Sequence, residues 1–243
     1  MSGTLQFLFG RPFAHRGLHD KHRPENSMAA FEAAVQAGYP IELDVRVSSD
    51  GQAIVFHDAK LKRMTDANGL VAEAKAKALK KFCLGGSQEG IPVLSEVLDM
   101  ISGRVPVIVE IKTSLGQVGL VEEAALTILR RYDGPFAVTA FDARTLTWFR
   151  KRQPEWPRGH NVGSHYLAPY NPWWRRLAWE FLYDVDDAQP DFVVYDRRDL
   201  PHWATTRVRT SGMPVLSYTV LDIGEMLRLA PHTDNVIFEG FLP

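Results

Sequence analysis

Ile41-Glu42-Leu43-Asp44-Val45 decides the fold, because apolar and acidic side chains alternate through it without a break. In a strand, Glu42 and Asp44 face one side while Ile41, Leu43 and Val45 face the other. Two carboxylates on one face of a buried strand are costly unless neutralised, and a divalent cation is the agent that fits. Upstream stand Ala14-His15-Arg16-Gly17 and Pro24-Glu25-Asn26, and downstream stands Val55-Phe56-His57-Asp58. Two imidazoles and a guanidinium therefore flank the carboxylate strand. These are the parts that metal-assisted phosphoester chemistry needs.

The remaining chain supplies strands and helices in alternation. Phe13-Ala14-His15 reads as a short strand, and Asn26 or Ser27 can cap a helix that Gly38 closes. Asp50-Gly51 marks a turn into a return strand that carries His57 at its end. Residues 58–92 read as loop with lysine-rich helical character, and 92–101 as a helix. Val107-Ile108-Val109-Glu110-Ile111-Lys112 repeats the alternation, with Glu110 and Lys112 on one face. Helices over 117–132, 143–152, 202–211 and 222–230 then alternate with strands over 136–141, 160–163, 192–195, 215–220 and 235–238. About eight strands alternating with helices is the pattern of a single-domain (β/α)8 barrel over 1–243. An open doubly wound sheet would call for a glycine-rich nucleotide loop after the first strand, and there is none.

In such a barrel the inward positions at strand ends meet at the active-site mouth. Glu42, Asp44 and Glu110 are expected to converge there on Mg²⁺ or Ca²⁺; the plainer reading is a set of salt bridges with Arg16, Lys112 and Arg46. His15 and His57, each beside a charged residue, read as an acid/base pair, with His57 favoured as the acid. Arg16 offers a planar fork to phosphate oxygens and Lys112 a point charge. Asn26 reads as structural. The other histidines, His160 among them, read as surface or loop residues.

Composition bounds the rest. A formal net charge of -1 argues against general nucleic-acid affinity. The single Cys83 forms no internal disulfide and reads as a buried or half-exposed thiol. No signal-like start and no apolar run long enough to span a bilayer are visible, so the expectation is a soluble, cytoplasmic protein without stable membrane insertion. The Trp-rich stretch 172–184 reads as a helix with one broad apolar face. Trp179 and Tyr183 lie off that face and are expected either to form a homodimer contact or to cover the active-site rim. A simply packed barrel helix is the plainer alternative.

The ordered series HRG, PENS, IELDV, SSDGQAIVFHD and VIVEIK resembles the signature series of the glycerophosphodiester phosphodiesterase family, densely in the first half of the chain and loosely in the second. The resemblance implies a metal-dependent hydrolase that converts a glycerophosphodiester to sn-glycerol 3-phosphate and an alcohol. It also implies that Glu25 borders the site. The family's usual Trp-Thr stands here as Tyr218-Thr219 and its Thr-Asp as Phe238-Glu239, which places Tyr218 among the expected substrate contacts and alters the pocket wall. A lysophospholipase D-type activity at the same centre is the alternative within enzymes, and a non-catalytic phosphoglycerol-binding barrel the alternative outside them.

Overall fold

Ser27 stands extended before the first helix and accepts the Ala30 N–H on its hydroxyl at 3.2 Å, which starts α1 (Met28–Ala37). Of the two capping candidates, Ser27 does the work. Gly38 ends the helix, its N–H reaching back to the Ala34 and Val35 carbonyls. Ala30, Phe31, Ala34 and Val35 form the buried stripe. Phe31 is fully buried, a contribution of about 1.5–3 kcal/mol from its side chain.

The computed structural model describes residues 3–113, 117–163 and 188–243. Its strands are β1 (Phe13–His15), β2 (Ile41–Val47), β3 (Ala53–Val55), β4 (Val107–Ile111), β5 (Phe136–Ala140), β6 (Arg158–Val162), β7 (Phe192–Asp196), β8 (Val215–Val220) and β9 (Asn235–Phe238). After α1 come α2 (Ala76–Leu79), α3 (Leu94–Ile101), α4 (Leu120–Leu129), α5 (Ala143–Arg152), α6 (Trp203–Thr210) and α7 (Ile223–Leu229). Eight of these strands run parallel, and the fold is a (β/α)8 barrel. The ninth, β3, is the antiparallel return arm of a hairpin with β2, pairing Val45 with Val55 and Val47 with Ala53.

The chain forms two compact units: Phe13–Phe136, and Met1–Pro12 together with Ala137–Pro243. In the first, β2 pairs with both β1 and β4, and its alternation is read out as expected. In the second, β6, β7, β8 and β9 pair in sequence, over a core that includes Val162, Val193, Tyr195, Val215 and Val236.

The lysine-rich segment after Asp58 is loop and short helix, as expected: α2 has four residues, and Gly85 and Gly86 stand with left-handed φ. Two expectations are corrected. His160 is a fully buried β6 residue, because it falls on a strand whose every residue is buried. Cys83 is exposed. The helix expected over 172–184 lies outside the described residues.

Candidate active site

Strand register builds the centre. β1 and β2 pair His15 with Glu42, and β2 and β4 pair Asp44 with Glu110. Side chains at paired positions of neighbouring parallel strands share a face, so three carboxylates meet. One oxygen from each of Glu42, Asp44 and Glu110 lies within 4.8 Å of the other two. All three residues are buried. His15 Nε2 stands 3.9 Å from Glu42 Oε2.

Cations hold this cluster together in part. Arg16 Nε lies 3.0 Å from Asp44 Oδ2, and its Nη1 donates to Glu25 at 2.8 Å. Lys112 Nζ is 3.0 Å from Asp44 Oδ1 and also contacts Glu110. The salt bridges of the plainer reading thus exist for Arg16 and Lys112. Arg46 instead donates from Nε to the His57 carbonyl at 2.7 Å, tying the hairpin's far arm to β2.

Burial acts on each acid, and neighbours decide the outcome. Burial, with Asp44 and Glu110 as like charges, pushes Glu42 well above the usual carboxylate range. Burial pushes Asp44 up too, but Lys112 and Arg16 outweigh it and hold it well below that range. Glu110 is raised by burial despite Lys112. Burial holds His57 down at about 4, with Lys112 and Arg16 acting in the same direction and Asp44 against it.

Two residues that read as unremarkable in the sequence belong to the site. Asn26 donates from Nδ2 to Asp44 Oδ2 at 2.8 Å, so this buried amide orients a member of the carboxylate cluster. Arg63 donates to both oxygens of Glu25, at 2.8 and 2.7 Å, and to Asp58 Oδ2 at 2.5 Å. Asp58 Oδ1 in turn lies 2.5 Å from His57 Nδ1. Glu25, expected as a site-wall residue, is held by two guanidinium groups.

The donor set fits a divalent cation. Around the centre stand Glu25, Glu42, Asp44, Asp58 and Glu110 against the permanent cations Arg16, Arg63 and Lys112. With every carboxylate ionised, as ligands to a cation are, five carboxylates and three cations leave two negative charges; burial and repulsion raise Glu42 and Glu110 when no cation offsets them. Oxygen donors with that imbalance suit a hard divalent ion.

Every residue so far lies in the unit Phe13–Phe136. Tyr218 lies on β8 of the other unit, where its hydroxyl donates to the Val162 carbonyl at 3.2 Å and its ring meets Phe141 edge-on. Trp179 and Tyr183 lie outside the described residues.

The glycerophosphoryl diester phosphodiesterase family model matches residues 15–234. The chain belongs to this family. A glycerophosphodiester phosphodiesterase of Bacillus altitudinis is 34% identical over 153 residues, which cover 58% of this chain and 62% of that relative. The match thus spans less than two thirds of that relative's length. One of Bacillus subtilis is 26% identical over 252 residues, covering 94% of this chain and 82% of the relative. Among solved structures, a phosphodiesterase of Oleispira antarctica in complex with the product sn-glycerol-3-phosphate has a TM-score of 0.82 and 26% identity, covering 95% of this chain and 92% of that one. A glycerophosphodiester phosphodiesterase of Thermotoga maritima shares the fold, with a TM-score of 0.73, 23% identity and coverage of 94% of each chain.

Among the described residues, no helix is long and apolar enough to cross a membrane.

Proposed function

We propose that this chain, as a single domain over 1–243, hydrolyses a glycerophosphodiester to sn-glycerol 3-phosphate and an alcohol. The observation that carries the reading is the three-carboxylate cluster of Glu42, Asp44 and Glu110, flanked in one unit by His15, Arg16, His57 and Lys112. Family membership supports the substrate class. In this proposal the three carboxylates would hold Mg²⁺ or Ca²⁺. Such an ion, when bound, withdraws charge from phosphoryl oxygens.

The chain's own residues do the rest. Arg16 and Lys112 bind the phosphate oxygens, Arg16 as a fork and Lys112 as a point charge. Asp58 is held below the usual carboxylate range by Arg63 and His57, which outweigh its burial. Its ionised oxygen therefore accepts a hydrogen bond from His57 Nδ1–H, leaving Nε2 as the ring's acceptor. A histidine held at about 4 is neutral at physiological pH, so its remaining nitrogen is open to accept a proton. His57 then takes the proton of the nucleophile, and His15 delivers one to the leaving alkoxide; water as nucleophile gives sn-glycerol 3-phosphate directly, whereas the glycerol 2-hydroxyl gives a cyclic phosphate that water opens in a second step. This reverses the role that the sequence favoured for His57.

Tyr218 is proposed as a substrate contact on its place in the family's motif. A cytoplasmic location is supported by a single cysteine, which leaves no internal disulfide to form. A homodimer contact through Trp179 and Tyr183 is checked by sedimentation; a monomeric wild type removes it.

The test is release of sn-glycerol 3-phosphate from glycerophosphocholine, glycerophosphoethanolamine and a lysophospholipid, with added Mg²⁺ or Ca²⁺ and with chelator. Metal-dependent release is expected, lost in Glu42→Gln and reduced about 10² to 10⁴-fold in kcat in His15→Ala and His57→Ala. Full activity in excess chelator, or a folded histidine variant with unchanged kcat, refutes the corresponding part. Preference for the lysophospholipid would move the reading to the lysophospholipase D type.

A further inference from the structure

Five contacts connect a carboxylate of the cluster to the base. Asp44 Oδ2 meets Arg16 Nε at 3.0 Å, and Arg16 Nη1 meets Glu25 Oε1 at 2.8 Å. That same Glu25 oxygen accepts from Arg63 Nη2 at 2.7 Å, Arg63 Nε meets Asp58 Oδ2 at 2.5 Å, and Asp58 Oδ1 meets His57 Nδ1 at 2.5 Å. Charge alternates from Asp44 to Asp58, and the chain ends on the neutral His57 imidazole. Asp44 and Glu25 are well buried, whereas the Arg63 side chain is 45% exposed. The least buried member therefore sits at the middle of the chain. Removing it leaves Glu25 with Arg16 and leaves Asp58 with His57 alone.

We infer that Arg63 is a positioning residue for the hydrolytic reaction, acting through Asp58 and Glu25 to fix the tautomer of His57 and the fork of Arg16. This rests on the function proposed above. The physical reason is geometric. Arg63 presents Nε and Nη2 to Asp58 and Nη1 and Nη2 to Glu25, a two-sided fork that a lysine ammonium has no second face to imitate. Held between two carboxylates, the guanidinium plane sets the direction from which Asp58 receives the imidazole. Partners behind metal ligands typically account for about 10 to 100-fold in affinity or activity when removed, and the same scale applies to Arg63, two contacts behind His57. The sequence pointed to none of this, because Arg63 lies in a loop 38 positions from Glu25.

The inference separates from a merely structural role by its readouts. In Arg63→Ala, kcat for sn-glycerol 3-phosphate release should fall about 10 to 100-fold, and KM should rise as well because the Arg16 fork loses support through Glu25. Guanidinium ion at millimolar concentration should restore part of kcat, since the vacated position is open to solvent. Arg63→Lys should remain well below wild type. Asp58→Asn combined with Arg63→Ala should be no slower than the slower single variant, because both act through one imidazole. Independently of turnover, ¹⁵N spectra of the metal-free protein should report the Nδ1–H tautomer of His57 in wild type and a mixture of tautomers in Arg63→Ala. A folded Arg63→Ala protein with wild-type kcat and unchanged His57 nitrogen shifts overturns the inference. So does a kcat loss with an unchanged His57 tautomer and no response to guanidinium. If wild type releases no product from any diester with either metal, the proposed function fails; the nitrogen spectra then still decide whether Arg63 governs the His57 tautomer.

Discussion

Gly17, beside Arg16, offers a measurement in which two costs separate. Its φ is +84°, and a Cβ there would lie 2.8 Å from the Ala30 carbonyl carbon and 2.9 Å from its oxygen. Both are backbone atoms of α1, so no side chain can swing aside. Gly51 has nearly the same φ, +76°, with nothing within 4 Å of its would-be Cβ. Gly51→Ala therefore reports the left-handed backbone cost alone, about 1–2 kcal/mol. Gly17→Ala adds displacement of α1, an overpacking cost of about 1–3 kcal/mol. The sum is about 2–5 kcal/mol, and at about 2–4 °C per kcal/mol for a chain of this size Tm should fall roughly 4–20 °C. Urea and thermal unfolding of both variants beside wild type make the comparison. Equal losses in the two variants would refute the close approach of Gly17 to α1. A Tm within about 2 °C of wild type in Gly17→Ala would refute both terms.

Two further outcomes follow from other buried groups. Burial holds His160 and His57 at about 4, below the usual 6.5, so the unfolded chain binds protons in that window that the native chain does not. Each histidine should therefore contribute a loss of up to about 3 kcal/mol as pH drops from about 6.5 to about 4, while Glu42 and Glu110, raised by burial, act in the opposite direction. Urea midpoints at pH 7 and 5 in wild type and His160→Asn isolate one histidine: the variant should lose less stability, or gain more, on acidification than wild type, and an unchanged pH slope in that variant would count against the buried neutral imidazole. Asn26→Ala removes a buried amide bonded to a carboxylate and should cost about 1.5–3 kcal/mol. It should also weaken Mg²⁺ binding measured by calorimetry, and a variant equal to wild type in both would show that Asp44 does not depend on that amide.

The carboxylate centre was legible because period-two alternation survives in the sequence: Glu42, Asp44, Glu110 and Lys112 declare their face by their neighbours alone. The hairpin was legible in Asp50-Gly51, and the α1 end in Gly38. Asn26 was read as structural because its link to Asp44 depends on how the β1–α1 connection folds back, which no local pattern encodes. Arg63 was hidden for the same reason, in the loop part of the lysine-rich segment. The strand over 160–163 is legible, but His160 reads as a surface residue because a histidine and an asparagine break the apolar pattern that signals burial. The arrangement of charges could be read wherever one strand carried it, and was lost where loops carried it.

Arg16 is one of four non-glycine residues among those described with positive φ, at +57°, and Asn26 is another at +56°. The Arg16 N–H bonds the Glu42 carbonyl at 2.8 Å, and the Asn26 N–H bonds the Arg16 carbonyl at 3.0 Å. The scaffold thus pins both in a conformation costing about 1–3 kcal/mol each. Position 16 thus carries two opposed terms. A glycine would relax the backbone, yet it would strip buried Asp44 of one of its two cations, a loss of about 3–5 kcal/mol that exceeds the strain relieved. The strained turn is kept by the charge it carries, and a library for thermostability should keep positions 16 and 26 fixed.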